Sequence, residues 1–170
     1  MFPLIAFSGK IDALNQKSRS VKKAQFKPNT TVAAIIEQNG KFLLVEESTD
    51  RGNRFNQPAG HLEDNETLIQ AVIRETMEEA AYEFTPEALL GVYHWKHPHN
   101  DTTYLRVAFI GKVGLHYPMQ ELDKGILQAV WMDIDEIRDK TGLMRSPQVI
   151  TCIEDYLAGK RFPLQVITNL

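Results

Sequence analysis

The residues best suited to chemistry are three closely spaced carboxylates, Glu75, Glu78 and Glu79. On a helix, positions i, i+3 and i+4 lie in one sector, with Cβ atoms about 5–6 Å apart. Carboxylates that close repel one another, and each raises the pKa of the next unless a cation lies among them. A hard divalent cation that prefers oxygen ligands is the partner that this spacing favours.

The residues around these carboxylates favour a site over a plain charged surface, which is the alternative interpretation of a Glu-rich helix. Arg74 precedes Glu78 by one turn and can hold a carboxylate through a forked hydrogen bond. Leu68, Ala71 and Val72 lie on the same side one turn earlier. The carboxylates are therefore predicted to lie partly against apolar neighbours.

The elements that must position this helix are predicted from apolar patterning. Thr67 and Gln70 form a capping box, and Pro86 is predicted to end the helix. Asn39-Gly40 predicts a tight hairpin. Loops are predicted at 48–56 and 114–127. Strands are predicted at 30–38, 41–47, 87–97, 102–113 and 129–133, and helices at 67–84, 133–140 and 147–158.

Two apolar runs, Val32–Ile36 and Phe42–Val45, are nearly continuous and predict a sheet that is covered on both faces. The order of strands and helices predicts an α/β (α+β) sandwich with a mixed sheet. The core face of the long helix is predicted to consist of Ile69, Ile73, Met77, Ala80 and Phe84.

Length and composition are typical of one globular domain: 170 residues, 43% of them hydrophobic and 24% charged. A single cysteine excludes a disulfide framework and favours a cytoplasmic protein. There is no apolar run of about 20 residues, so no membrane partner is expected.

Charge divides the chain into a basic extension, residues 1–25, and an acidic domain, residues 26–170. The extension holds five basic groups and one acidic group, which leaves 14 basic and 21 acidic groups in the domain. An acidic domain is unsuited to duplex nucleic acid, which needs a positive surface. The composition of the extension is typical of a loosely ordered terminal segment, and the alternative is an arm that binds a membrane or a partner.

The carboxylates belong to a longer pattern that resembles the Nudix box. Its charged and glycine positions all match, at Gly60, Glu66, Arg74, Glu75, Glu78 and Glu79. Three other positions depart from the pattern, at Thr76, Ala81 and Tyr82. Because Ala81 replaces a glycine, we expect the helix to run on here instead of ending in a left-handed conformation.

A wider resemblance, over about residues 26–166, is to the phosphatase NudJ branch of the Nudix hydrolases. It depends on four segments: Phe26-Lys27-Pro28, Asn56-Gln-Pro-Ala-Gly-His-Leu-Glu63, Arg145-Ser-Pro147 and Arg161-Phe-Pro-Leu164. The resemblance implies a Nudix α/β/α fold and a Mg²⁺-dependent phosphatase. The implied substrates are nucleoside di- and triphosphates and thiamine-pathway pyrophosphates such as hydroxymethylpyrimidine pyrophosphate and thiamine pyrophosphate, with orthophosphate as a product.

The resemblance also implies roles for individual residues. Glu75, Glu78, Glu79 and the carbonyl of Ala59 are the implied ligands of Mg²⁺, for which Mn²⁺ can substitute. Glu66 and Arg74 are implied supports of the catalytic group. The general base is either a glutamate of the box or an acid on the distant loop, Glu121 or Asp123.

Other residues are candidates for substrate binding. His61 and Arg145 are candidate phosphate contacts, as are Arg51 and Arg54 in the loop before the box. Trp95 or Tyr93 is a candidate for stacking on a ring, with Lys96 near phosphate. The alternative for Arg145 is a surface cap, and the alternative for the region of His94, His97 and His99 is an ordinary strand edge. Cys152 lies on an apolar helical stripe and is predicted to belong to the core.

The sequence therefore predicts a Mg²⁺-dependent Nudix pyrophosphohydrolase acting on a small-molecule nucleotide or pyrophosphate, as a monomer or homodimer. One alternative is an ADP-ribose or dinucleotide pyrophosphatase, for which Pro98, 16 residues after the box, is a weak cue. Another is a nucleotide-binding Nudix module without catalysis, although such modules commonly lack box carboxylates that this chain keeps.

Overall fold

The structure is a computed structural model that describes residues 26–170, so the predicted extension 1–25 lies outside the described residues. Short 3₁₀ turns at Thr141–Leu143 and Leu164–Val166 accompany three helices and seven strands. The helices are α1 (Leu68–Ala80), α2 (Ile134–Asp139) and α3 (Pro147–Leu157). The strands are β1 (Asn29–Gln38), β2 (Lys41–Thr49), β3 (Gly52–Asn56), β4 (Ala59–His61), β5 (Tyr82–Lys96), β6 (Thr103–His116) and β7 (Ile126–Asp133).

The sheet is mixed, as predicted. Its main order is β3-β2-β1-β6-β5, in which β1 and β6 are parallel and the other neighbours are antiparallel. β4 pairs with β1 and β7 pairs with β2, both antiparallel. The β1–β2 connection is the predicted hairpin, with Asn39 at φ 54° and Gly40 at φ 79°. These two residue types adopt positive φ at little cost, which is why the turn forms here.

Helices cover both faces of the sheet, which confirms the predicted α/β/α sandwich. The runs Val32–Ile36 and Phe42–Val45 are buried throughout. Alternate residues of each run point to opposite faces. Val32 and Ala34 pack in the core beneath α1, whereas Ala33 and Ile35 pack in the core that includes α2 and α3. Cys152 of α3 is fully buried in the second core, as predicted.

The predicted capping box at the start of α1 is confirmed, but the predicted end of this helix is wrong. Ala81 adopts the left-handed conformation with φ 57°, and its N–H donates to the carbonyl of Met77. Phe84 lies in β5 opposite Val113, not on the helix, and Pro86 lies within the same strand. The alanine therefore takes the conformation usual for a glycine cap, because pairing of β5 with β6 fixes the chain immediately after it.

The predicted core face of α1 is also wrong in part. The buried residues are Ala71, Val72, Glu75, Thr76 and Ala80, whereas the side chain of Ile73 is 38% exposed. The helix is rotated so that the sector holding Glu75 faces the chain at β4. Hydrophobic periodicity assigns only apolar residues to the core. It misses this rotation because the buried residues of α1 include a carboxylate, Glu75, which belongs to the candidate site.

Two predicted loops are shorter than expected. The segment predicted as a loop at 48–56 contains β3, an edge strand whose polar residues pair with β2 from Val45 to Thr49. β6 extends to His116 and β7 begins at Ile126, which reduces the predicted loop 114–127 to residues 117–125. Within residues 26–170, no helix has both the length and the apolar character needed to cross a membrane.

Candidate active site

The candidate site forms where β4 meets α1. Ala59 and Gly60 lie on β4 beside β1, and α1 packs against both strands. The N–H of Ala59 donates to Oε2 of Glu79 over 2.8 Å. A Cβ atom placed on Gly60 would overlap the carboxylate of Glu75. The spacing of the box therefore brings the predicted backbone segment and two of the three predicted carboxylates together.

Arg74 organises the acidic residues around it. Its Nε and Nη2 bind the two oxygens of Glu66 at 3.0 and 2.7 Å, in the forked geometry expected for arginine and carboxylate. Its Nη1 donates to Glu75 at 2.8 Å and to Glu78 at 2.9 Å, and its Nη2 also donates to the carbonyl of His61. The hydrogen bonds from Arg74 lower the pKa of Glu66, and the N–H of Glu63 adds to this effect.

Burial makes the innermost carboxylates difficult to ionise. Burial raises the pKa of Glu79 to about 8, and the negative charges of Glu75, Glu47 and Asp123 add to this effect. Burial also raises the pKa of Glu75, although Arg74 opposes the change. A positive charge at this position would favour the ionised form of both groups.

The donor chemistry fits a divalent cation. Glu75, Glu78 and Glu79 present only oxygen atoms, the ligands that Mg²⁺ and Mn²⁺ take in proteins. Within the part of the chain that the structure describes, however, no three His, Cys, Asp or Glu side chains are already arranged to hold a metal ion. Nη1 of Arg74 bridges Oε1 of Glu75 and Oε2 of Glu78. Each of these carboxylates keeps a second oxygen, which would be the one that holds a cation.

A cleft of about 590 Å³ opens beside the box. Among the predicted substrate-binding residues, the structure places His61, Trp95, Arg145 and also Arg51 on its wall. The wall is lined further by Thr31, Glu47, Asp50, Asn56, Ala59, Gly60, His97, His99, Asn100, Tyr104, Arg106, Ser146 and Gln148.

Three other candidates lie elsewhere. Lys96 points to the opposite face of β5 from Trp95, is 65% exposed and pairs with Asp101 at 3.7 Å. Arg54 donates to the carbonyl of Asn53 at 2.7 Å. Tyr93 donates its hydroxyl to Asp155 at 2.9 Å beneath α3. The structure therefore does not bring Lys96, Arg54 or Tyr93 to the wall of the cleft.

Sequence reasoning missed a buried arginine in the wall of the cleft. Arg106 lies near the start of β6, where its Nη1 donates to Gln57 at 2.9 Å and its Nη2 donates to Asn56 at 3.2 Å. Burial lowers the pKa of Arg106 from its usual value. The available signal was an arginine at an inward position of the apolar run Leu105–Ile110.

Glu47 was missed as well. It lies near the end of β2, and its Oε2 is 3.3 Å from Nε of Arg145. Burial raises the pKa of Glu47, while Arg145 and Arg106 oppose the rise. Its sequence neighbours Glu46 and Ser48 are polar, so nothing in the pattern distinguished it from an exposed strand end.

The loop at residues 117–125 closes over the end of α1. The N–H of Asp123 donates to the carbonyl of Glu78 over 2.9 Å, and the charge of Asp123 raises the pKa of both Glu75 and Glu79. Glu121 is exposed on the same loop.

On α3, burial raises the pKa of the Cys152 thiol to about 11, which makes it unsuited to nucleophilic chemistry.

The fold and the acidic helix are those of the Nudix domain, whose defining pattern matches residues 26–151. The chain belongs to the Nudix family. It is therefore a hydrolase that acts on phosphoric anhydride bonds. Enzymes of this family generally use divalent metal ions and act on small-molecule nucleotide substrates.

Similar proteins define the branch more closely. Phosphatase NudJ of Escherichia coli K12 is 39% identical over 142 residues, which are 84% of this chain and 92% of that protein. A NUDIX hydrolase structure from Nitrosomonas europaea has a TM-score of 0.83 and 52% identity, and covers 85% of this chain and 98% of its own. These similarities support a NudJ-like branch of the family.

A more distant structure shares the fold alone. It is a bifunctional NMN adenylyltransferase/ADP ribose pyrophosphatase from Francisella tularensis, complexed with AMP and a Mn ion. Its TM-score is 0.57 and its identity 19%, over 81% of this chain and 43% of that chain.

Proposed function

We propose that this chain is a Mg²⁺-dependent pyrophosphohydrolase that releases orthophosphate from nucleoside di- and triphosphates and from thiamine-pathway pyrophosphates. The similarity to phosphatase NudJ supports terminal cleavage. The observation that carries the proposal is a pair of carboxylates, buried Glu75 and partly buried Glu79, held against Gly60 and Ala59 on the wall of an open cleft. Their oxygens suit Mg²⁺, with Mn²⁺ as a substitute.

In this proposal Glu75, Glu78, Glu79 and the carbonyl of Ala59 hold the cation. When bound, it supplies positive charge that neutralises the pyrophosphate and the charge developing on the transferred group. Arg74 contacts Glu66, Glu75 and Glu78 together, so its proposed role is to set the orientation of these carboxylates.

The remaining steps use residues of the cleft. His61 and Arg145 line it and are the proposed phosphate contacts. Water attacks the terminal phosphorus, the bond from that phosphorus to the bridging oxygen breaks, and orthophosphate leaves. A carboxylate accepts the proton that the water loses.

The proposed acceptor of this proton is Asp123 or a glutamate of the box. Asp123 is favoured over Glu121 because its backbone contacts Glu78 and its charge is felt by Glu75 and Glu79. Both side chains are exposed, and within residues 26–170 Glu121 makes no hydrogen bond or ion pair with the box. A general base must reach the reacting water directly or through one bridging water.

Product analysis tests the proposed function. A panel of nucleoside triphosphates and thiamine pyrophosphate is incubated with enzyme and Mg²⁺, and the products are followed by phosphorus NMR. We expect orthophosphate, with the nucleoside diphosphate as an intermediate. Pyrophosphate and a monophosphate formed in one step would contradict terminal cleavage.

The same panel includes ADP-ribose and a dinucleotide, so it also tests the alternatives. Two monophosphates from ADP-ribose would favour the second enzyme class, for which Pro98 is the sequence cue. Nucleotide binding without any hydrolysis would favour a Nudix module that only binds. Glu75→Gln and Glu79→Gln provide the matched controls, and each is expected to reduce turnover by about 10²-fold, the scale of one preorganised electrostatic group.

The proposal also covers the cellular location, the type of partner and the oligomeric state of the enzyme. The single cysteine is buried and free, in keeping with a cytoplasmic protein. The acidic charge of residues 26–170 supports a small-molecule substrate over duplex nucleic acid. A monomer or homodimer remains the prediction for the oligomeric state.

A further inference from the structure

Gln57 is a buried amide that joins three parts of the fold and that the proposed reaction does not use. It lies between β3 and β4, and its side chain is buried. Its Oε1 accepts a hydrogen bond from Nη1 of Arg106 on β6 over 2.9 Å, and its Nε2 donates to the carbonyl of Val149 on α3 over 2.8 Å. A buried amide is stable only with such partners, whereas an apolar side chain of similar size needs none. The two bonds therefore fix where this part of the chain lies.

Arg106 is a rigid anchor for this amide. Its side chain is buried, and the strand that carries it pairs with β1 on one side and with β5 on the other. Its guanidinium binds two consecutive residues, Gln57 through Nη1 and Asn56 through Nη2 over 3.2 Å. A guanidinium is planar and charged, so its hydrogen bonds have a fixed geometry and are stronger than those between neutral groups. The chain at the end of β3 is thus held to β6.

The segment held in this way leads directly into the backbone of the candidate site. Pro58 follows Gln57 and has no N–H to donate, but its carbonyl accepts a hydrogen bond from the N–H of Ala34 over 2.9 Å. Ala59 then pairs with Ala33 as β4 begins. Within residues 26–170, the chain between β3 and β4 therefore depends for its hydrogen bonds on the side chain of Gln57 and on the carbonyl of Pro58.

Ala59 makes two contributions to the candidate site, and both depend on its position. Its N–H donates to Oε2 of Glu79 over 2.8 Å, and its carbonyl is a proposed ligand of the cation. Removal of a group that orients a metal ligand without touching the metal typically costs about 10–100-fold in metal affinity or activity. A shift of the chain at Gln57 would reach the site through Ala59, two residues later.

We propose that Gln57 is a positioning residue for the metal site. Its bonds to Arg106 and Val149 set the position of the backbone at Ala59. The N–H of Ala59 then meets Glu79, and its carbonyl is available to the cation. This proposal rests on the proposed function, because Ala59 and Glu79 are the proposed ligands. Its distinguishing consequence is local, since removal of the amide should disturb Ala59 more than the rest of the sheet.

Amide hydrogen exchange in the metal-free protein, measured by NMR, tests the positioning without any reaction. Gln57→Met removes both hydrogen bonds with little change in side-chain size. The N–H of Ala59 is expected to exchange at least about five- to tenfold faster in this variant, the equivalent of one hydrogen bond. Amides of the β5–β6 ladder are the reference for global opening, and their exchange is expected to rise less.

A shorter amide provides a second variant. Gln57→Asn keeps the donor and the acceptor but is one methylene too short to reach both Arg106 and Val149. Its effect on the N–H of Ala59 is expected to have the same direction. This variant decides the question if Gln57→Met does not fold.

Calorimetry with Mg²⁺ or Mn²⁺ measures the consequence for the metal site. Gln57→Met is expected to bind the cation about 10–100-fold more weakly, the range for a group that orients a ligand. Turnover is expected to fall within the same range. The KM for substrate is expected to change less, because Gln57 is not among the residues that line the cleft.

Tyr93→Phe is the matched control. The hydroxyl of Tyr93 donates to Asp155 over 2.9 Å, so it also ties α3 to the sheet, but at the other end of this helix from Val149. Its loss is expected to lower the melting temperature by about a few degrees, as the loss of the Gln57 bonds should. Cation affinity and the exchange of Ala59 relative to the reference amides are expected to stay unchanged.

Three outcomes would overturn the proposal. Equal acceleration of Ala59 and the reference amides in Gln57→Met would show that this side chain only stabilises the fold. An equal loss of cation affinity in Gln57→Met and Tyr93→Phe would have the same meaning. Faster exchange at Ala59 with unchanged cation affinity would separate Gln57 from the metal site. If both expected effects are found but no orthophosphate is released from any substrate, the proposed function fails while the positioning role stands.

Discussion

The carboxylate of Glu75 fills the space beside Gly60 that a Cβ atom would need, since a Cβ on Gly60 would overlap the carboxyl carbon and both oxygens. Gly60 is not among the residues with positive φ, so its backbone conformation is open to other residue types. The glycine is needed for space. It lets a buried carboxylate lie directly against the strand that carries the proposed carbonyl ligand.

We expect Gly60→Ala to leave the protein folded but to reduce turnover by about 10²-fold, as for loss of the carboxylate itself. The added methyl group meets the far end of a flexible side chain, so Glu75 moves and the backbone does not. Steady-state kinetics and thermal melting measure the two effects. Gly142→Ala is the matched control, because a Cβ there meets nothing within 4 Å and activity should not change. Normal turnover in Gly60→Ala would contradict the proposed role of Glu75.

Much of the fold was predictable because local patterns determine it. Asn39-Gly40 specifies its turn by conformational preference, and the continuous burial of Val32–Ile36 follows from helices on both faces of the sheet. The resemblance to the box implied that the carbonyl of Ala59 and the carboxylates of Glu75 and Glu79 serve one cation, which requires these segments to lie close together. In these cases the structure is decided by interactions within one short segment, or by the spacing of residues along one strand or helix.

Features that depend on distant partners were not predictable in the same way. Arg106 binds Gln57 from 49 positions away in the sequence, so no local pattern joins them. Ala81 ends α1 against its own preference, because strand pairing immediately afterwards overrides it. The rotation of α1 that buries Glu75 opposes the apolar pattern. Long-range contacts override propensity most strongly near the site, where function requires buried polar groups.

The raised pKa of Glu79 predicts the pH dependence of stability in the metal-free protein. Burial raises this pKa from 4.5 to about 8, so the folded state retains a proton that the unfolded state releases. The free energy of unfolding should therefore fall as the pH rises from about 4.5 to about 8. Urea unfolding across this range, in the presence of chelator, measures the effect.

Glu79→Gln is the control for this prediction. It removes the titrating group with little change in shape, so it should be more stable than the wild type near pH 8 and show a shallower pH dependence. Some dependence remains, since burial also raises the pKa of Glu75 and Glu47. Parallel curves for the two proteins would show that Glu79 is ionised in the folded state throughout this range.

Metal binding should depend on pH in the opposite sense. Glu75 and Glu79 must be ionised to bind a divalent cation, and their raised pKa values make this harder at low pH. At a hundredfold excess over its dissociation constant a cation adds about 2.7 kcal/mol, or several degrees of melting temperature. We expect Mg²⁺ or Mn²⁺ to raise the melting temperature more at pH 9 than at pH 6.

Thermal scans with chelator and with metal, at fixed ionic strength, measure this difference. Glu75→Gln should show a smaller shift at both pH values, because it removes a proposed ligand. Calorimetry in buffers of different ionisation enthalpy should detect protons released on binding at pH 7. Equal shifts at both pH values, without proton release, would contradict the assignment of buried carboxylates as ligands.

The final prediction separates the two acids on the loop at residues 117–125. Asp123 is tied to α1 through its N–H bond to the carbonyl of Glu78, and its charge reaches both buried carboxylates. Glu121, two residues earlier, is exposed like Asp123, and its N–H makes no such bond to α1. If Asp123 accepts the proton from water, Asp123→Asn should lower kcat by about 10²–10⁴-fold with little change in KM, the range of a general base.

Glu121→Gln, the matched control, should retain wild-type kinetics. The backbone bond to Glu78 survives Asp123→Asn, so the loop should stay in place and a metal-induced melting shift should remain. Near-normal kcat in Asp123→Asn would assign the base to a glutamate of the box, and a loss confined to Glu121→Gln would reverse the order proposed for the two acids.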